Sequence, residues 1–411
     1  MKAVVFTLGC KVNECESNSL IAGLTERGYE VTDRLEVADL YIVNTCAVTK
    51  EAEKKSRQTA SRISKLNPNA KVIFTGCATQ KDPTSFTQKN PNYLVTGAFD
   101  KGKILQMLDR SGECLASPTT VFEELQTVKS LRTRTFIKVQ DGCNNYCSYC
   151  IIPYLRGRNR GRAPQNVLCE IQAVNPLETV INGINLSAYN YDGLTLTDLM
   201  RALKDVDCRI RLGSLEVNVI TDEFLQALKE LKDFAPHFHL SLQSGSNAVL
   251  KSMNRHYTRE EFISKVELIR KYFDNAGITT DIIAGFPTET EQDFLDTLDL
   301  VEKVKFSDIH PFIYSARSGT VAYKMPDLEY AVKKERADKL ISKKQQLKLE
   351  FANANVNKTL DFLPEERFED FWVGYSGNYL RLYVKGELDG KKIIKVKVVK
   401  PYLDGAIAEI I

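Results

Sequence analysis

Strand-like apolar segments alternate with helix-like segments from residue 2 to about residue 314 of this 411-residue chain. Such alternation builds parallel sheets with helices on their faces, and it places the chain in the α/β class. We therefore predict an N-terminal parallel-sheet α/β domain over residues 1–125. Its helices are predicted at 16–27 and 49–66, and its strands at 2–8, 39–45, 71–75 and 92–96.

Three of these predicted strands end at a cysteine, namely Cys10, Cys46 and Cys77. The gaps between them, 36 and 31 residues, are each about one strand–helix–strand unit. Ligands of parallel sheets sit beyond the carboxyl ends of the strands, so the three cysteines should meet at one edge. Three thiols in register indicate a metal site, whereas a single free cysteine is usually a small buried apolar residue. The cysteines without a motif partner, expected to be structural, are Cys15, Cys114, Cys169 and Cys208.

The alternation continues through residues 126–353 with six further strands. Six strands with intervening helices suit a (β/α)6 partial TIM barrel, because a full eight-stranded barrel usually takes about 250 residues. The predicted strands lie at 135–139, 179–183, 209–212, 237–242, 279–284 and 308–314. The predicted helices lie at 164–174, 196–204, 221–232, 259–272 and 289–304.

Residues 354–411 change to short segments that alternate apolar and polar side chains, as half-buried strands do. About 50 residues of short strands predict a small C-terminal β-barrel, a fold that often binds oligonucleotides. From residue 358 onward nine basic residues accompany nine acidic ones, so charge alone gives no argument for RNA. The predicted strands lie at 371–373, 379–384 and 393–399, with turns at 375–377 and 388–391.

A loop after the first central strand holds Cys143, Cys147 and Cys150 in a C-x3-C-x2-C spacing. A zinc site usually takes a fourth ligand from a second C-x2-C or H-x3-H pair, and none follows. A four-iron cluster also takes four ligands, so three cysteines leave one iron open for a ligand that is not protein. The alternative is a set of structural or zinc-binding thiols.

Polar residues cluster where the central strands end, which is the face at which barrels build their active sites. Each residue alone is more often a turn or a helix cap, but together they suit the lining of a cofactor pocket. Gly183 would let the backbone approach a ligand closely. The candidate cofactor-binding residues are Tyr149, Asn182, Gly183, Asn185, Ser214 and Gln243.

A local positive charge surrounds the cysteine loop. Between residues 129 and 162 the chain has eight basic residues and one acid, Asp141. Arginine forks suit phosphates and carboxylates, so these side chains are candidates for contact with RNA or another substrate. The alternatives are a solvated loop and arginines folded back onto the cluster. The candidate substrate-contacting residues are Arg156, Arg158, Arg160, Arg162 and Arg317.

The overall composition is that of an ordinary globular protein, with 43% hydrophobic and 27% charged residues. The net charge of +3 gives no indication of a nucleic-acid partner, so any basic surface must be local. No apolar run approaches the roughly 18 residues that span a bilayer, and nothing at the N-terminus reads as a signal peptide. We therefore expect a cytoplasmic protein with no membrane partner, whose clustered cysteines serve metal binding or catalysis rather than disulfides.

An ordered set of motifs resembles the methylthiotransferases of the radical-SAM superfamily. The resemblance implies an N-terminal cluster domain, a radical-SAM barrel and a C-terminal TRAM-like barrel that binds RNA. In the first part of the chain the motifs are Thr7-Leu-Gly-Cys10-Lys-Val-Asn13, Asn44-Thr-Cys46-Ala-Val48 and Thr75-Gly-Cys77. They continue with Cys143-x3-Cys147-x2-Cys150-Ile-Ile-Pro153-x-x-Arg156-Gly, Ser241-Leu-Gln-Ser-Gly-Ser246 and Gly285-Phe-Pro287-x-Glu289-Thr290.

By this resemblance the cysteine loop holds a 4Fe-4S cluster that cleaves S-adenosylmethionine, and the three strand-end cysteines hold an auxiliary 4Fe-4S cluster. The implied partners are tRNA and an electron donor such as a flavodoxin or ferredoxin. The segment from Cys10 to Asn13 looks like the MtaB group, which methylthiolates N6-threonylcarbamoyladenosine next to the anticodon. Related groups act on isopentenyladenosine in tRNA or on a ribosomal protein. The alternative from another class is a non-catalytic iron–sulfur protein that binds RNA or carries clusters.

Overall fold

A computed structural model describes residues 1–125, 133–388, 390 and 392–411 of the chain. Its first part is a parallel sheet whose strands are β1 (Lys2–Thr7), β2 (Glu30–Thr32), β3 (Leu40–Thr45), β4 (Lys71–Gly76), β5 (Leu94–Thr96) and β6 (Gly112–Cys114). They pair in the order β2-β1-β3-β4-β5-β6. The helices of this part are α1 (Lys11–Glu26), α2 (Lys50–Leu66), α3 (Cys77–Lys81) and α4 (Thr84–Thr87).

Three adjacent strands of this sheet, β1, β3 and β4, end at the same level. Thr7 pairs with Asn44 on β3, and Asn44 pairs with Thr75 on β4. The loops that leave these three strands therefore start side by side. The register explains why residues separated by more than thirty positions can share one edge of the sheet.

Apolar side chains on both faces of the sheet form two cores, because successive strand residues point to opposite faces. Val4, Tyr41 and Val43 belong to one core, and Ala3 and Ile42 belong to the other. The first core also contains two residues from the segment after the cysteine loop, Ile151 and Leu155. The central part of the chain is thus packed into the N-terminal sheet.

The central part forms a partial barrel. Its strands are β7 (Arg134–Asp141), β8 (Arg160–Gly161), β9 (Glu178–Gly183), β10 (Asn190–Tyr191), β11 (Leu194–Thr195), β12 (Arg209–Leu212), β13 (Ser214–Leu215), β14 (His237–Leu240), β15 (Gly277–Ala284) and β16 (Asp308–Ile313). One sheet has the order β12-β9-β7-β8 and the next has the order β13-β14-β15-β16. Strands β7, β9 and β12 are parallel, as are β13 to β16, whereas β8 runs antiparallel to β7. Strands β10 and β11 form a separate antiparallel pair.

Helices connect the strands of the barrel, and most of them contribute apolar side chains to its core. They are α5 (Ile152–Arg156), α6 (Pro164–Val174), α7 (Leu196–Ala202), α8 (Asp222–Lys229), α9 (Asn247–Ser252), α10 (Arg259–Tyr272) and α11 (Glu291–Val304), and the long helix α12 (Tyr330–Ala354) follows the last strand. Short 3-10 turns lie at Lys101–Gln106, Leu186–Ala188, Val217–Val219 and Ala322–Lys324. Helices α10 and α11 begin with capping boxes at Thr258 and Thr290, which fix their first turns.

The last part is a closed barrel of five strands: β17 (Thr359–Phe368), β18 (Phe371–Ser376), β19 (Arg381–Lys385), β20 (Ile394–Tyr402) and β21 (Gly405–Ile410). They close in the order β17-β18-β19-β21-β20, and only the β19–β21 pair is parallel. The predicted α/β class, with an N-terminal parallel sheet, a partial barrel and a small C-terminal barrel, is confirmed.

Buried polar contacts join the small barrel to the partial barrel. Arg211 donates from Nη1 to Gly377 O and from Nη2 to Ser376 O, both at 3.0 Å. A Cβ on Gly277 would lie 2.0 Å from Asn378 O, so only glycine allows this approach. The turn between β18 and β19 is thereby held against the barrel strands.

Several predicted details differ from the structure. Helix α1 begins at Lys11 rather than at residue 16, so Cys15 lies in a helix and not in a loop. The first strand of the small barrel, β17, begins at Thr359, before the first predicted strand at 371–373, and helix α12 ends at Ala354. The domain boundaries near 125 and 353 stay predictions.

Two predicted features fall partly outside the described residues. Lys129 and Arg132 of the basic segment are not described, nor are Asp389 and Lys391 of the predicted turn at 388–391. Within the described ranges, no helix is both long and apolar enough to cross a membrane.

We expect Glu178 to be a key residue for stability. It is fully buried and accepts from Arg209 Nε at 2.5 Å and Arg211 Nε at 2.8 Å. Glu178→Gln leaves two buried guanidinium groups without their counter-charge, which costs about 3 kcal/mol or more. Thermal unfolding should show a lower midpoint. The exposed pair of Glu302 with Lys343 gives the matched control, because Glu302→Gln should change stability by less than about 1 kcal/mol.

The same carboxylate predicts a pH dependence. Burial alone would raise the pKa of Glu178, but Arg211 and Arg209 lower it to about 2. In the unfolded chain the pKa is about 4.3, so the stabilisation is complete above that value and is lost as the pH falls towards 2. The melting temperature of the wild type should fall between about pH 4.3 and pH 2. The melting temperature of the Glu178→Gln variant should fall by less over the same range. An unchanged decline would contradict this assignment.

Candidate active site

Cys10, Cys46 and Cys77 lie together at the carboxyl edge of the N-terminal sheet. Cys46 and Cys77 are buried, and Cys10 is exposed. Gly9 and Gly76, which precede two of them, have φ angles of 105° and 107°, values that favour glycine. A Cβ on Gly9 would lie 2.7 Å from Cys46 Cβ and 2.8 Å from Cys46 Sγ. The absence of a side chain at Gly9 therefore permits the close approach of the first two cysteine loops.

Side-chain hydrogen bonds join the loops that carry these cysteines. Asn13 Nδ2 donates to Leu8 O at 2.8 Å and to Thr45 O at 3.0 Å. Asn44 Nδ2 donates to Asn13 O at 3.0 Å, and the Thr45 hydroxyl donates to Thr75 O at 2.7 Å. All four bonds replace water contacts in a buried setting, so they hold the cysteine loops in one arrangement.

The loop with Cys143, Cys147 and Cys150 follows strand β7 of the partial barrel. All three cysteines are half-buried. Two side chains approach the sulfurs: Asn185 Nδ2 lies 3.7 Å from Cys143 Sγ, and Arg255 Nη1 lies 3.5 Å from Cys147 Sγ. Donors aimed at ligand sulfurs stabilise thiolates and tune the metal centre that they hold.

Arg255 is a site residue that sequence reasoning missed. Its Nη1 pairs with Glu216 Oε1 at 2.7 Å, and its Nη2 donates to Ser241 O at 3.0 Å. Glu216 also accepts from Asn145 Nδ2 at 2.6 Å. Arg255 stands alone after α9 with no spacing pattern around it, so the sequence carried no signal for its contact with Cys147.

Cys10 and the three loop cysteines line one cavity of about 790 Å³. The N-terminal sheet contributes Cys10 and Lys11, and the loop cysteines line the cavity from the partial barrel. The small barrel adds Tyr375 and Tyr379. The walls therefore come from all three parts of the chain.

All six candidate cofactor-binding residues line this cavity. Packing within the protein also favours glycine at position 183, because a Cβ there would lie 2.8 Å from Gln140 Oε1. Gln140 Oε1 in turn accepts from Asn185 N at 2.8 Å and fixes that loop. Their contact with a cofactor stays a prediction. These lining residues are Tyr149, Asn182, Gly183, Asn185, Ser214 and Gln243.

A buried charge network lies behind the N-terminal cysteine edge. Arg156 pairs with Glu16 at 2.7 Å and with Asp141 at 3.3 Å, and its Nε lies 3.4 Å from Cys77 Sγ. Burial alone would raise the pKa of Glu16, but Arg156, Lys101 and Lys138 hold it well below its usual range. Including Arg160, four cations surround two carboxylates, and this surplus of positive charge suits a thiolate-ligated cluster nearby. The ion pairs are Lys101–Glu16, Lys138–Glu16, Lys138–Asp141 and Arg160–Asp141.

Four of the five candidate substrate-contacting arginines are buried and pair with protein groups, and their contact with substrate stays a prediction. Arg156 and Arg160 belong to the charge network, and Arg162 pairs with Glu124 and Glu170. Arg317 is buried, donates to Ala47 O and pairs with Glu53 at 2.6 Å. Arg158 is exposed, stacks over Tyr146 at 5.2 Å and stays a candidate for RNA contact.

The spacing of the cysteine sulfurs can be compared with the spacing in a zinc site. Three thiolates on one tetrahedral zinc ion lie about 3.8 Å apart, given Zn–S bonds of about 2.3 Å. Among the described residues, only His239, Asp281 and His310 bring three possible ligand atoms within 4.8 Å of one another. Neither cysteine trio meets this spacing, so in each of them at least one pair of sulfurs lies more than 4.8 Å apart.

Burial affects the protonation of these thiols. It raises the pKa of Cys46 to about 12 and that of Cys150 to about 12. Without metal these thiols are protonated at neutral pH, and metal binding must release their protons.

Two protein-family models match the chain. Residues 2–97 match the model described as "Uncharacterized protein family UPF0004", and residues 137–301 match the radical SAM superfamily. The first match contains the three strand-end cysteines, and the second contains the cysteine loop and most of the partial barrel.

Full-length relatives decide the family. The threonylcarbamoyladenosine tRNA methylthiotransferase MtaB of Bacillus subtilis (strain 168) is 37% identical over 100% of this chain and 97% of its own. The MtaB of Thermotoga maritima is 38% identical over 96% and 93%. The chain belongs to the radical-SAM methylthiotransferases. The tRNA-2-methylthio-N(6)-dimethylallyladenosine synthase of Thermoanaerobacter sp. (strain X514), 36% identical over 87% and 81%, represents a related branch of this family.

Solved structures agree on the fold of this methylthiotransferase. The radical S-adenosylmethionine methyltransferase TsrM of Kitasatospora setae has a TM-score of 0.53 at 14% identity, covering 76% of this chain and 72% of TsrM. The cobalamin-dependent radical enzyme OxsB has a TM-score of 0.54 at 13% identity, covering 84% and 56%. As a radical-SAM protein, the methylthiotransferase uses iron–sulfur chemistry and S-adenosylmethionine.

We expect substitution by methionine to affect protein stability at Arg156 and tRNA binding at Arg158. Arg156→Met removes a buried partner of Glu16 and Asp141, at a cost of about 3 kcal/mol or more, and should lower the melting temperature. Arg158→Met should leave the melting temperature unchanged and, if this side chain contacts RNA, weaken tRNA binding. A normally stable Arg156→Met variant with weakened tRNA binding would instead support a contact between Arg156 and tRNA.

Proposed function

We propose that this protein inserts a methylthio group at C2 of N6-threonylcarbamoyladenosine next to the anticodon of tRNA. The observation that carries the proposal is the single cavity that is lined by Cys10 of the strand-end trio and by all three loop cysteines. Full-length similarity to relatives named for this reaction supports the choice of substrate. The enzyme would act in the cytoplasm, with a flavodoxin or ferredoxin as electron donor.

In this proposal each cysteine trio ligates one 4Fe-4S cluster. Cys143, Cys147 and Cys150 would hold the cluster that binds S-adenosylmethionine, and the three strand-end cysteines would hold the auxiliary cluster. When bound, these groups supply a radical that removes the C2 hydrogen, the sulfur that replaces it and the methyl group that caps the sulfur. The residues that would contact S-adenosylmethionine are the six candidate lining residues Tyr149, Asn182, Gly183, Asn185, Ser214 and Gln243.

The side chains of the protein orient the reactants and exclude water. Asn185 and Arg255 aim donors at Cys143 and Cys147, while Arg156 aims a donor at Cys77. The small barrel closes the cavity from the other side, which shields reactive species from solvent. We propose that this barrel and the exposed Arg158 contact tRNA outside the cavity.

Isopentenyladenosine in tRNA is the second candidate substrate, since a relative at 36% identity is named for that product. Mass spectrometry of tRNA nucleosides from a deletion strain distinguishes the two. Loss of methylthio-threonylcarbamoyladenosine supports the proposal, whereas loss of methylthio-isopentenyladenosine supports the second candidate. A cluster carrier without catalysis would change neither nucleoside and would form no 5′-deoxyadenosine.

The two cysteine sites should separate two activities. Cys10→Ala should lower the iron content from about eight to about four per chain and abolish methylthiolation, while formation of 5′-deoxyadenosine continues. Cys143→Ala should abolish both. Cys169→Ala, an exposed cysteine outside both trios, serves as the control and should change neither. Loss of 5′-deoxyadenosine in Cys10→Ala, or zinc in place of iron, would contradict the two-cluster assignment.

Gly9→Ala tests the packing behind the auxiliary site. The added Cβ would collide with Cys46, so we expect the same loss of about four irons without removal of a ligand. Gly28→Ala is the matched control, because Gly28 has a φ of 81° but no atom within 4 Å of the added Cβ. Equal iron content in the two variants would show that the contact with Cys46 does not matter for the cluster.

A further inference from the structure

The threonylcarbamoyladenosine substrate of the proposed reaction carries a negative charge that isopentenyladenosine lacks. The threonylcarbamoyl group ends in a carboxylate, whereas an isopentenyl group is a hydrocarbon. Burying a carboxylate in a cavity is costly unless a cation or several donors meet it. An enzyme of this specificity therefore needs an uncommitted cation or several free donors in the cavity wall, and this inference rests on the proposed function.

Most cationic side chains that line the cavity already have partners. Arg255 pairs with Glu216 at 2.7 Å. Lys348 and Arg381 lie 3.5 Å and 3.3 Å from the same carboxylate, that of Asp404. None of these three is available without breaking an existing pair.

The histidines of the cavity wall are also engaged. His237 stacks on Tyr379, with ring centroids 4.2 Å apart, and lies 2.9 Å from Thr279 Oγ1. His239 lies 3.3 Å from Asp281, which would repel a second carboxylate, and His310 is grouped with them. This part of the cavity wall is therefore better suited to contact a neutral polar group of a ligand than an anionic group.

Lys11 differs from these residues. It lines the cavity, its side chain is exposed there, and it makes no hydrogen bond or ion pair with any described residue. Burial lowers the pKa of Lys11, and Arg134 and Arg211 lower it further, whereas Tyr379 and Asp281 raise it from beyond ion-pair distance. Among the described residues, Lys11 is thus the lining lysine or arginine that can accept a new anionic partner.

The position of Lys11 also suits the geometry of the substrate. It directly follows Cys10, the exposed member of the strand-end trio. In adenine, C2 and the carbon that bears N6 both flank N1, so a substituent on N6 lies along the same edge as C2. If C2 faces the sulfur held near Cys10, the short threonylcarbamoyl chain reaches the neighbouring residue.

We propose that Lys11 binds the carboxylate of the threonylcarbamoyl group and thereby selects an acidic N6-substituted adenosine over a neutral one. A neutral substituent would leave the ammonium group without a partner after water is displaced, which gives discrimination against it. Lys11 thus contacts the substrate without taking part in the chemistry.

The test uses the full-length protein with both clusters reconstituted and two anticodon stem-loops. One carries threonylcarbamoyladenosine, and the other carries its methyl ester, which has the same shape but no charge. Dissociation constants from fluorescence anisotropy and methylthio product from mass spectrometry are measured for wild type, Lys11→Met and Lys11→Arg. Lys103→Met controls for the loss of one positive charge, because Lys103 is 64% exposed and lies outside the cavity lining.

We expect wild type to bind the acid at least about tenfold more tightly than the ester, given the strength of hydrogen bonds to charged groups. Lys11→Met should bind both with the weaker affinity, and Lys11→Arg should recover most of the preference. Lys103→Met should keep it. Iron content and visible absorption should be unchanged in Lys11→Met, because the residue is not a ligand.

Two results would overturn the inference. One is an equal affinity of wild type for acid and ester, and the other is a Lys11→Met variant that retains the preference. Either result together with normal methylthiolation by wild type leaves the proposed function intact. Absence of product from wild type on the threonylcarbamoyl stem-loop, with product on an isopentenyl stem-loop, would instead overturn the proposed function.

Discussion

The buried ion pair between Arg156 and Glu16 is the contact on which the arrangement of the site depends. Arg156 comes from the helix after the cysteine loop, and Glu16 comes from the helix after Cys10. Both side chains are about 1% exposed, so neither can lose its partner without leaving an uncompensated charge. Asp141 and Lys138 extend the pair into the first barrel strand. The network therefore joins the segments that carry the two cysteine trios.

This connection explains how a sheet and a barrel can share one cavity. The N-terminal sheet presents the carboxyl ends of three adjacent strands, and the partial barrel presents its cysteine loop towards them. The third wall comes from the small barrel, where Tyr379 stacks between His237 and Tyr375. Arg211 holds the turn beside this stack through two backbone carbonyls. A methylthiotransferase that must keep reactive species from water thus uses each part of its chain as a wall.

Charge within the site is distributed unevenly. Four cations around two carboxylates lie behind Cys77, whereas Arg255 near Cys147 is balanced by Glu216. Lys11 adds a further positive group on the cavity side of Cys10. The strand-end trio therefore lies between buried cations on one side and an accessible ammonium on the other, which suits both an anionic cluster and an anionic substrate.

The sequence by itself determined the main strands and helices of the sheet and the partial barrel, the meeting of Cys10, Cys46 and Cys77 at one sheet edge, and six residues that line the cavity. These follow from local patterns, since hydrophobic period and strand-end position do not depend on distant partners. Only the tertiary structure decided the fate of the charged side chains. Arg156 looks as available as Arg158 in the sequence, but its partners Asn13 and Glu16 lie 143 and 140 positions away. Pairing across such distances is set by how the sheet and barrel pack, and no local pattern encodes it.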